Sequence, residues 1–280
     1  MTRINPIEDS AGTGPWALVT GASAGIGAEF CRQLATLDFR LVLVARREEK
    51  LLEMAAALRD SHGTRCRIYP LDLAVRNAGT ELANWLAQEG IEVEFLVNNA
   101  GYGLPGYFAT AGWQDHERFI QVMVTAVCEL TWCLLPGMQA RKKGYVINVA
   151  SLAGLVPSMS GHTLYGAAKA FLVRFSESLA AENLSMGVNV SALCPGFTYS
   201  EFHDVTGTRE LVGRLPRWMW MNASEVVSHG IQSAMRTPPR VVAIPGRVNR
   251  MIARIARWLP AGLIYRLVRR SSGRIRAQQH

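Results

Sequence analysis

Short, continuous apolar runs alternate with longer stretches of helical spacing along most of this chain, and this alternation constrains the fold more than any other feature. The runs are Trp16 to Thr20, Leu41 to Ala45, Cys66 to Leu71, Phe95 to Asn98, Tyr145 to Val149, Val188 to Leu193 and Val241 to Ile244. Between them, Ile26 to Leu37, Glu48 to Leu58 and the stretches near 76–88, 113–135 and 164–183 have helical spacing. A strand that is apolar along its whole length is buried on both faces, as in a parallel sheet covered by helices. Right-handed crossovers then predict an α/β fold with a doubly wound, Rossmann-like parallel sheet. No linker interrupts 16–245. One domain is expected over 15–246, after a flexible N-terminus at 1–14 and before a helical tail at 247–280.

Charge is distributed unevenly. Ten arginines and no lysine or acidic residue lie between Arg240 and His280, whereas the first 239 residues carry 20 basic and 22 acidic side chains. The net charge of +8 therefore resides in the tail. A nucleic-acid binder would spread its charge over a face of the fold, so no nucleic acid is expected. Cys31, Cys66, Cys128, Cys133 and Cys194 are scattered, mostly within apolar runs, and no pair has zinc-ligand spacing. They read as free thiols in a reducing compartment, with no metal. Met1 to Pro15 includes Glu8 and Asp9 and no apolar run, so it is not read as a signal peptide. No window holds about 18 uninterrupted apolar residues. A cytoplasmic location follows, with the inner membrane surface as an alternative because of the tail.

The first run ends in Thr20-Gly21-Ala22-Ser23-Ala24-Gly25-Ile26-Gly27, which opens a helical stretch. Glycines allow a tight turn and a close approach of backbone to phosphate, and the helix N-terminus favours an anion. The second run ends in Arg46 and Arg47. Basic groups here fit the 2′-phosphate of NADP(H), where an acidic residue would fit the free ribose of NAD(H). The alternative is that both are solvated residues opening the next helix. Asp72, with Leu73 beside it, stands where an adenine amino group would be met, but Asp72 would equally cap the following turn.

Further along are Asn98-Asn99-Ala100-Gly101, Ser151, Tyr165-Gly166-Ala167-Ala168-Lys169, and Pro195-Gly196 followed by Thr198 and Ser200. Together with the Gly-rich turn, this set resembles the short-chain dehydrogenase/reductase family in order and near-family spacing, over roughly residues 15 to 205. The resemblance implies an oxidoreductase moving a hydride between NADP(H) and a carbonyl or alcohol carbon. It makes Asn99, Ala100 and Gly101 a wall beside the cofactor, and it places Pro195, Gly196, Thr198 and Ser200 near the nicotinamide carboxamide. Tyr165 and Lys169 are four apart and share a helix face. A phenol with a pKa near 10 is a poor base at neutral pH. A neighbouring ammonium, together with an oxidised nicotinamide, is expected to lower it. Tyr165 is then the general acid/base, Ser151 polarises the substrate oxygen, and Lys169 also bonds the nicotinamide ribose.

Two departures stand out. Many family members anchor a water relay through an asparagine, where this chain has Met123. A thioether is at best a weak acceptor, so a second expectation is a cofactor-binding regulatory or scaffold protein with little turnover. Ser151 and Tyr165 are also fourteen apart, one more than is usual, which puts an extra residue in the loop from Val156 to His162.

Tyr199, Phe202, Val205, Trp218, Met219, Trp220 and Met221 lie in a lid-like segment near 199–222. With Leu152, Val156, Pro157 and Met159 they suggest an apolar pocket for a hydrophobic ketone or secondary alcohol of lipid, steroid or acyl type. Ordinary core or interface packing explains the same residues. His162 and His203 read as loop histidines before substrate contacts. In the tail, Met251, Ile252, Ile255, Trp258 and Leu259 repeat at helical spacing, with Arg250, Arg254 and Arg257 largely off that stripe. After Pro260 the pattern resumes to about 270. Such a helix lies on an anionic membrane surface, packs on its own domain, or packs on a partner subunit. The family resemblance implies a homodimer or homotetramer.

Overall fold

The computed structural model describes residues 13–104, 106–157, 161, 163–199 and 216–258. In chain order the strands are β1 (Trp16–Thr20), β2 (Arg40–Ala45), β3 (Cys66–Pro70), β4 (Val93–Asn98), β5 (Gly144–Val149), β6 (Val188–Leu193), β7 (Phe197–Tyr199), β8 (Trp220–Asn222) and β9 (Val242–Ala243). The helices are α1 (Gly25–Thr36), α2 (Glu48–His62), α3 (Ala78–Gln88), α4 (Trp113–Ile120), α5 (Ala126–Ala140), α6 (Thr163–Asn183), α7 (Ala223–Met235) and α8 (Arg247–Trp258).

Among the described residues, seven strands pair in parallel in the order β3-β2-β1-β4-β5-β6-β9. Alternate residues of each strand face opposite helical layers. Ala17 and Val19 of β1 face the layer that includes Phe30 and Leu34 of α1, Leu51 of α2 and Val226 of α7. Leu18 faces the other layer, with Leu82 of α3, Leu130 of α5 and Leu179 of α6. This is the covered parallel sheet that the uninterrupted apolar runs predict.

Helix boundaries differ from the sequence expectation where local chemistry intervenes. The pattern near 76–88 becomes helical only at Ala78, because Asn77 adopts a left-handed conformation with φ of 61°. The 113–135 pattern continues to Ala140 and passes through Pro136. Met138, beyond the proline, is fully buried, while Trp132, whose carbonyl loses its partner, is 73% exposed. A π-turn at Gln121–Thr125 separates α4 from α5. An 18-residue window of this long segment, Trp113–Ala140, is apolar enough to cross a bilayer, with a mean hydropathy of 1.6. Its residues Phe119, Met123 and Leu130 are nonetheless buried against the domain, as in a core helix.

Candidate active site

The strand order reverses direction between β1 and β4, so the loops leaving their C-terminal ends diverge and leave a crevice. Thr20 ends β1. Its hydroxyl donates to the Val97 carbonyl at 3.3 Å and accepts from the amides of Asn99 and Ala100, each at 3.0 Å. The Asn99 amide donates back to the Thr20 and Gly21 carbonyls at 2.9 and 3.3 Å. The Asn98–Gly101 turn thus clamps the Gly-rich turn. A Cβ at Gly27 would collide with the Gly21 carbonyl oxygen, so only glycine lets the turn fold onto α1. Ala24, the residue before α1, provides no side-chain cap, and the first turn of α1 has no acidic residue. The leading amides of α1 and its dipole therefore face the crevice without a side-chain anion.

Arg47 donates to the Ser23 hydroxyl at 3.3 Å, which ties the end of β2 to the Gly-rich turn, and Arg46 beside it is exposed. Asp72 realises the turn-capping alternative. One of its oxygens accepts from the Ala74 amide at 3.0 Å, and the other pairs with Arg118 at 2.9 Å. The Leu73 side chain is buried in the core cluster that contains Leu82. Ile26 is half-buried against the opposite cluster.

β5 delivers Ser151, and α6 carries Tyr165 and Lys169. The Ser151 hydroxyl accepts from the Ala153 amide at 3.1 Å and is near enough to the Tyr165 phenol to favour its ionised form. The intervening turn lies against α6 because residue 154 is glycine: a Cβ there would come within 2.6 Å of the Lys169 carbonyl. The Lys169 amine is buried and donates to the Val149 carbonyl at 2.6 Å. It stands 5.7 Å from the centre of the Tyr165 ring. Burial lowers the Lys169 pKa to about 8.

The expectation that the lysine lowers the phenol pKa is not met by the protein alone. Burial raises Tyr165 above its usual value, and the nearby Ser151 side chain opposes this. The ammonium makes its hydrogen bond to a backbone carbonyl, not to the phenol, and this leaves burial dominant. Met123 is 1% exposed in a cluster with Phe119 and Ala168, and Tyr165 packs against that cluster.

The Pro195-Gly196 turn is joined to the serine loop by the Leu152 amide, which donates to the Pro195 carbonyl at 2.8 Å. Thr198 is buried, and its hydroxyl donates to the Gly196 carbonyl at 3.1 Å. β7 and β8 form a small parallel ribbon at this edge, with Tyr199 stacked on Trp220 at 4.8 Å. Ser200, His162, His203, Met159, Phe202, Val205 and most of the expected lid lie outside the described residues.

Three contributors were not anticipated from sequence. Gly154 and Asn249 look ordinary until their neighbours are known. Asn249, on α8, packs its amide against the Gly196 backbone and donates to the Pro245 carbonyl at 2.9 Å. The third is a buried polar network. Asn98 donates to Asn148 at 2.9 Å and to Thr131 at 3.1 Å, and Asn148 donates to Ser176 at 2.9 Å. Polar residues inside two apolar runs were the available signal.

Comparison with known proteins agrees with this geometry. A family pattern described as short chain dehydrogenase matches residues 15–210. A very-long-chain 3-oxoacyl-CoA reductase of Anas platyrhynchos is 34% identical over 199 residues, covering 70% of this chain and 63% of its own length. The chain thus spans less than two thirds of that relative. The structure of a short-chain dehydrogenase from Sphingobium yanoikuyae in complex with NADPH superimposes with a TM-score of 0.77 at 30% identity, covering 86% of this chain and 91% of the other. A bulky-bulky ketone specific alcohol dehydrogenase from Comamonas testosteroni gives 0.72 at 27% identity, covering 94% of each chain. With a family match over most of its length, and with the crevice, serine, tyrosine and lysine brought together, the chain belongs to the short chain dehydrogenase family.

Proposed function

We propose that this protein is an NADP(H)-dependent oxidoreductase that interconverts a hydrophobic ketone and its secondary alcohol. One observation carries the reading: the Ser151 hydroxyl stands near the Tyr165 phenol and favours its ionised form, with a buried lysine one helical turn away, beside a crevice above an uncapped helix. The crevice residues fit a dinucleotide. The glycine at 27 keeps the turn tight, the α1 amides suit a pyrophosphate, and Arg46 with Arg47 suits a 2′-phosphate. Ser23, Ala24, Gly25, Ile26, Asn99, Ala100 and Gly101 complete the lining, with Asp72 and Leu73 at the adenine end. Pro195, Gly196 and Thr198 line the nicotinamide end, where the family resemblance adds Ser200. When bound, NADP(H) supplies or accepts the hydride.

The chain's own residues handle the proton. Ser151 orients the substrate oxygen toward Tyr165, and Tyr165 donates its proton to the carbonyl oxygen in reduction or removes the alcohol proton in oxidation. The elevated phenol pKa favours the protonated form, which suits the reductive direction. Lys169 holds positive charge near the phenol and the cofactor ribose. An acyl or bulky-ketone substrate is favoured by the nature of the similar proteins and by the aromatic ribbon Tyr199–Trp220. Assembly as a homodimer or homotetramer is proposed from family resemblance. The outward face of α8 is proposed to rest on an anionic lipid surface, since Met251, Ile255 and Trp258 are 55, 50 and 84% exposed among arginines.

The test is Tyr165→Phe with NADPH and a panel of apolar ketones. Turnover is expected to fall by roughly 10²-fold or more, the scale of a lost general acid. Undiminished turnover in that variant rejects the assignment. Stoichiometric NADPH binding by the native protein, without turnover across the panel, would instead support the regulatory reading suggested by Met123.

A further inference from the structure

His116 lies in the first turn of α4 and is 5% exposed. Its ring stacks on Phe108, with centroids 4.5 Å apart and planes 17° apart. Its Nε2 lies 2.8 Å from the Phe108 carbonyl oxygen. A carbonyl only accepts, so Nε2 carries the proton and donates it, and in the neutral ring Nδ1 is then a bare acceptor. That nitrogen is buried and, among the described residues, has no hydrogen-bond partner. Folded proteins leave few such atoms, since each unmade bond costs about 1–3 kcal/mol. The Nε2 bond fixes the ring, so Nδ1 cannot turn toward water without breaking it.

The ring also forms part of a pocket wall. Leu104, Tyr107, Phe108 and Leu164 supply apolar surface there, and Tyr165 belongs to the same wall. His116 and Tyr165 thus belong to one small pocket wall, with the unsatisfied nitrogen closed off from solvent. Tyr107 and Phe108 are 36 and 49% exposed, so the outer side of this wall faces solvent.

We infer that His116 Nδ1 is a substrate subsite that accepts a hydrogen bond from an O–H or N–H group on the part of the substrate remote from the reacting carbonyl. The substrate class is therefore an apolar ketone carrying a hydroxyl or secondary amide, rather than a plain hydrocarbon ketone. A donor group completes the unmade bond, whereas a hydrocarbon leaves it unmade and gains nothing from the ring. This inference rests on the reading of Tyr165 as the site of carbonyl chemistry.

The experiment compares matched ketones that differ only by a hydroxyl or secondary amide in place of a methylene, at several distances from the carbonyl. Both kcat/KM with NADPH and binding to the NADPH-loaded protein are measured. The native protein is expected to prefer one donor-bearing member roughly tenfold, equivalent to about 1.4 kcal/mol. His116→Gln, which keeps a group near the Phe108 carbonyl but no acceptor at the Nδ1 position, is expected to lose that preference while still reducing the plain ketone. His116→Asn, which places an oxygen near the Nδ1 position, is expected to retain part of it; a purely structural histidine would not yield this pattern. No preference at any distance, or a preference that survives in His116→Gln, overturns the subsite. A His116-dependent binding preference without turnover leaves the subsite standing and removes the reductase reading.

Discussion

Charging a lysine amine away from water costs free energy, and Lys169 carries that cost in the folded state. The amine titrates near 10.5 when exposed and near 8 in the fold. Between these values the unfolded chain holds more protons, so this group makes stability rise with pH across that interval. Below pH 8 the penalty is fully present. The integrated effect is about 3 kcal/mol. Tyr165 is raised, so it acts with the opposite sign above its usual pKa, as do the buried thiols of Cys31 and Cys66. The difference between native protein and Lys169→Met isolates the lysine. Urea unfolding at pH 7.5, 8.5 and 9.5 is expected to show the native protein gaining on the variant as pH rises, and a constant difference contradicts the buried amine. At Arg46, Arg46→Ala is expected to weaken NADPH binding about tenfold or more and to leave NADH binding nearly unchanged, since only the 2′-phosphate supplies a charge-assisted bond. Fluorescence titration reads both, and equal losses reject the 2′-phosphate role. That Ser151, Tyr165 and Lys169 stand together was legible in sequence, because their types, order and spacing match the family pattern. The direction of the Tyr165 shift was not, because burial is a property of the packed neighbourhood and not of residue spacing.

Among the elements, the strands were the clearest in sequence, because burial on both faces leaves an uninterrupted apolar run. The boundaries of α3 and α5 were not, because Asn77 and Pro136 act through backbone conformation and through the environment of one carbonyl. Nor was the cross-linking of elements. Asn148 is fully buried on β5 and bonds to Asn98 on β4 and to Ser176 on α6. It therefore holds the helix bearing Tyr165 and Lys169 in register with the strand that leads to Asn99. Asn148→Leu removes both bonds and leaves their partners short of hydrogen bonds in a dry interior. The expected loss is about 3 kcal/mol, read from the urea midpoint. A loss below about 1 kcal/mol would mean that the network is replaceable by packing.

Across the whole molecule, the sequence located the excess charge in the tail but left open what the tail does. The structure divides α8 into two sides. Asn249 is 5% exposed and locks the helix against Gly196 and the Met221 thioether, at the end of the crevice proposed for the nicotinamide. The opposite side presents Met251, Ile255 and Trp258, so packing on the home domain does not account for that stripe among the described residues. Arg247 and Arg254 are exposed on the same side by helical geometry. Exposed tryptophan and isoleucine flanked by guanidinium groups match the chemistry of an anionic bilayer surface, which gains both apolar burial and charge neutralisation. Removing the tail after residue 246 would also remove Asn249 and disturb the site, so point substitutions give the cleaner test. Ile255→Ser with Trp258→Ser is expected to abolish flotation with phosphatidylglycerol vesicles while leaving turnover of a soluble ketone unchanged. Native protein should float with these vesicles and, at high salt, bind them more weakly, because surface attraction to the arginines is screened. Equal flotation of native and doubly substituted protein would remove the lipid-facing role of α8 and leave its outer face to a second subunit.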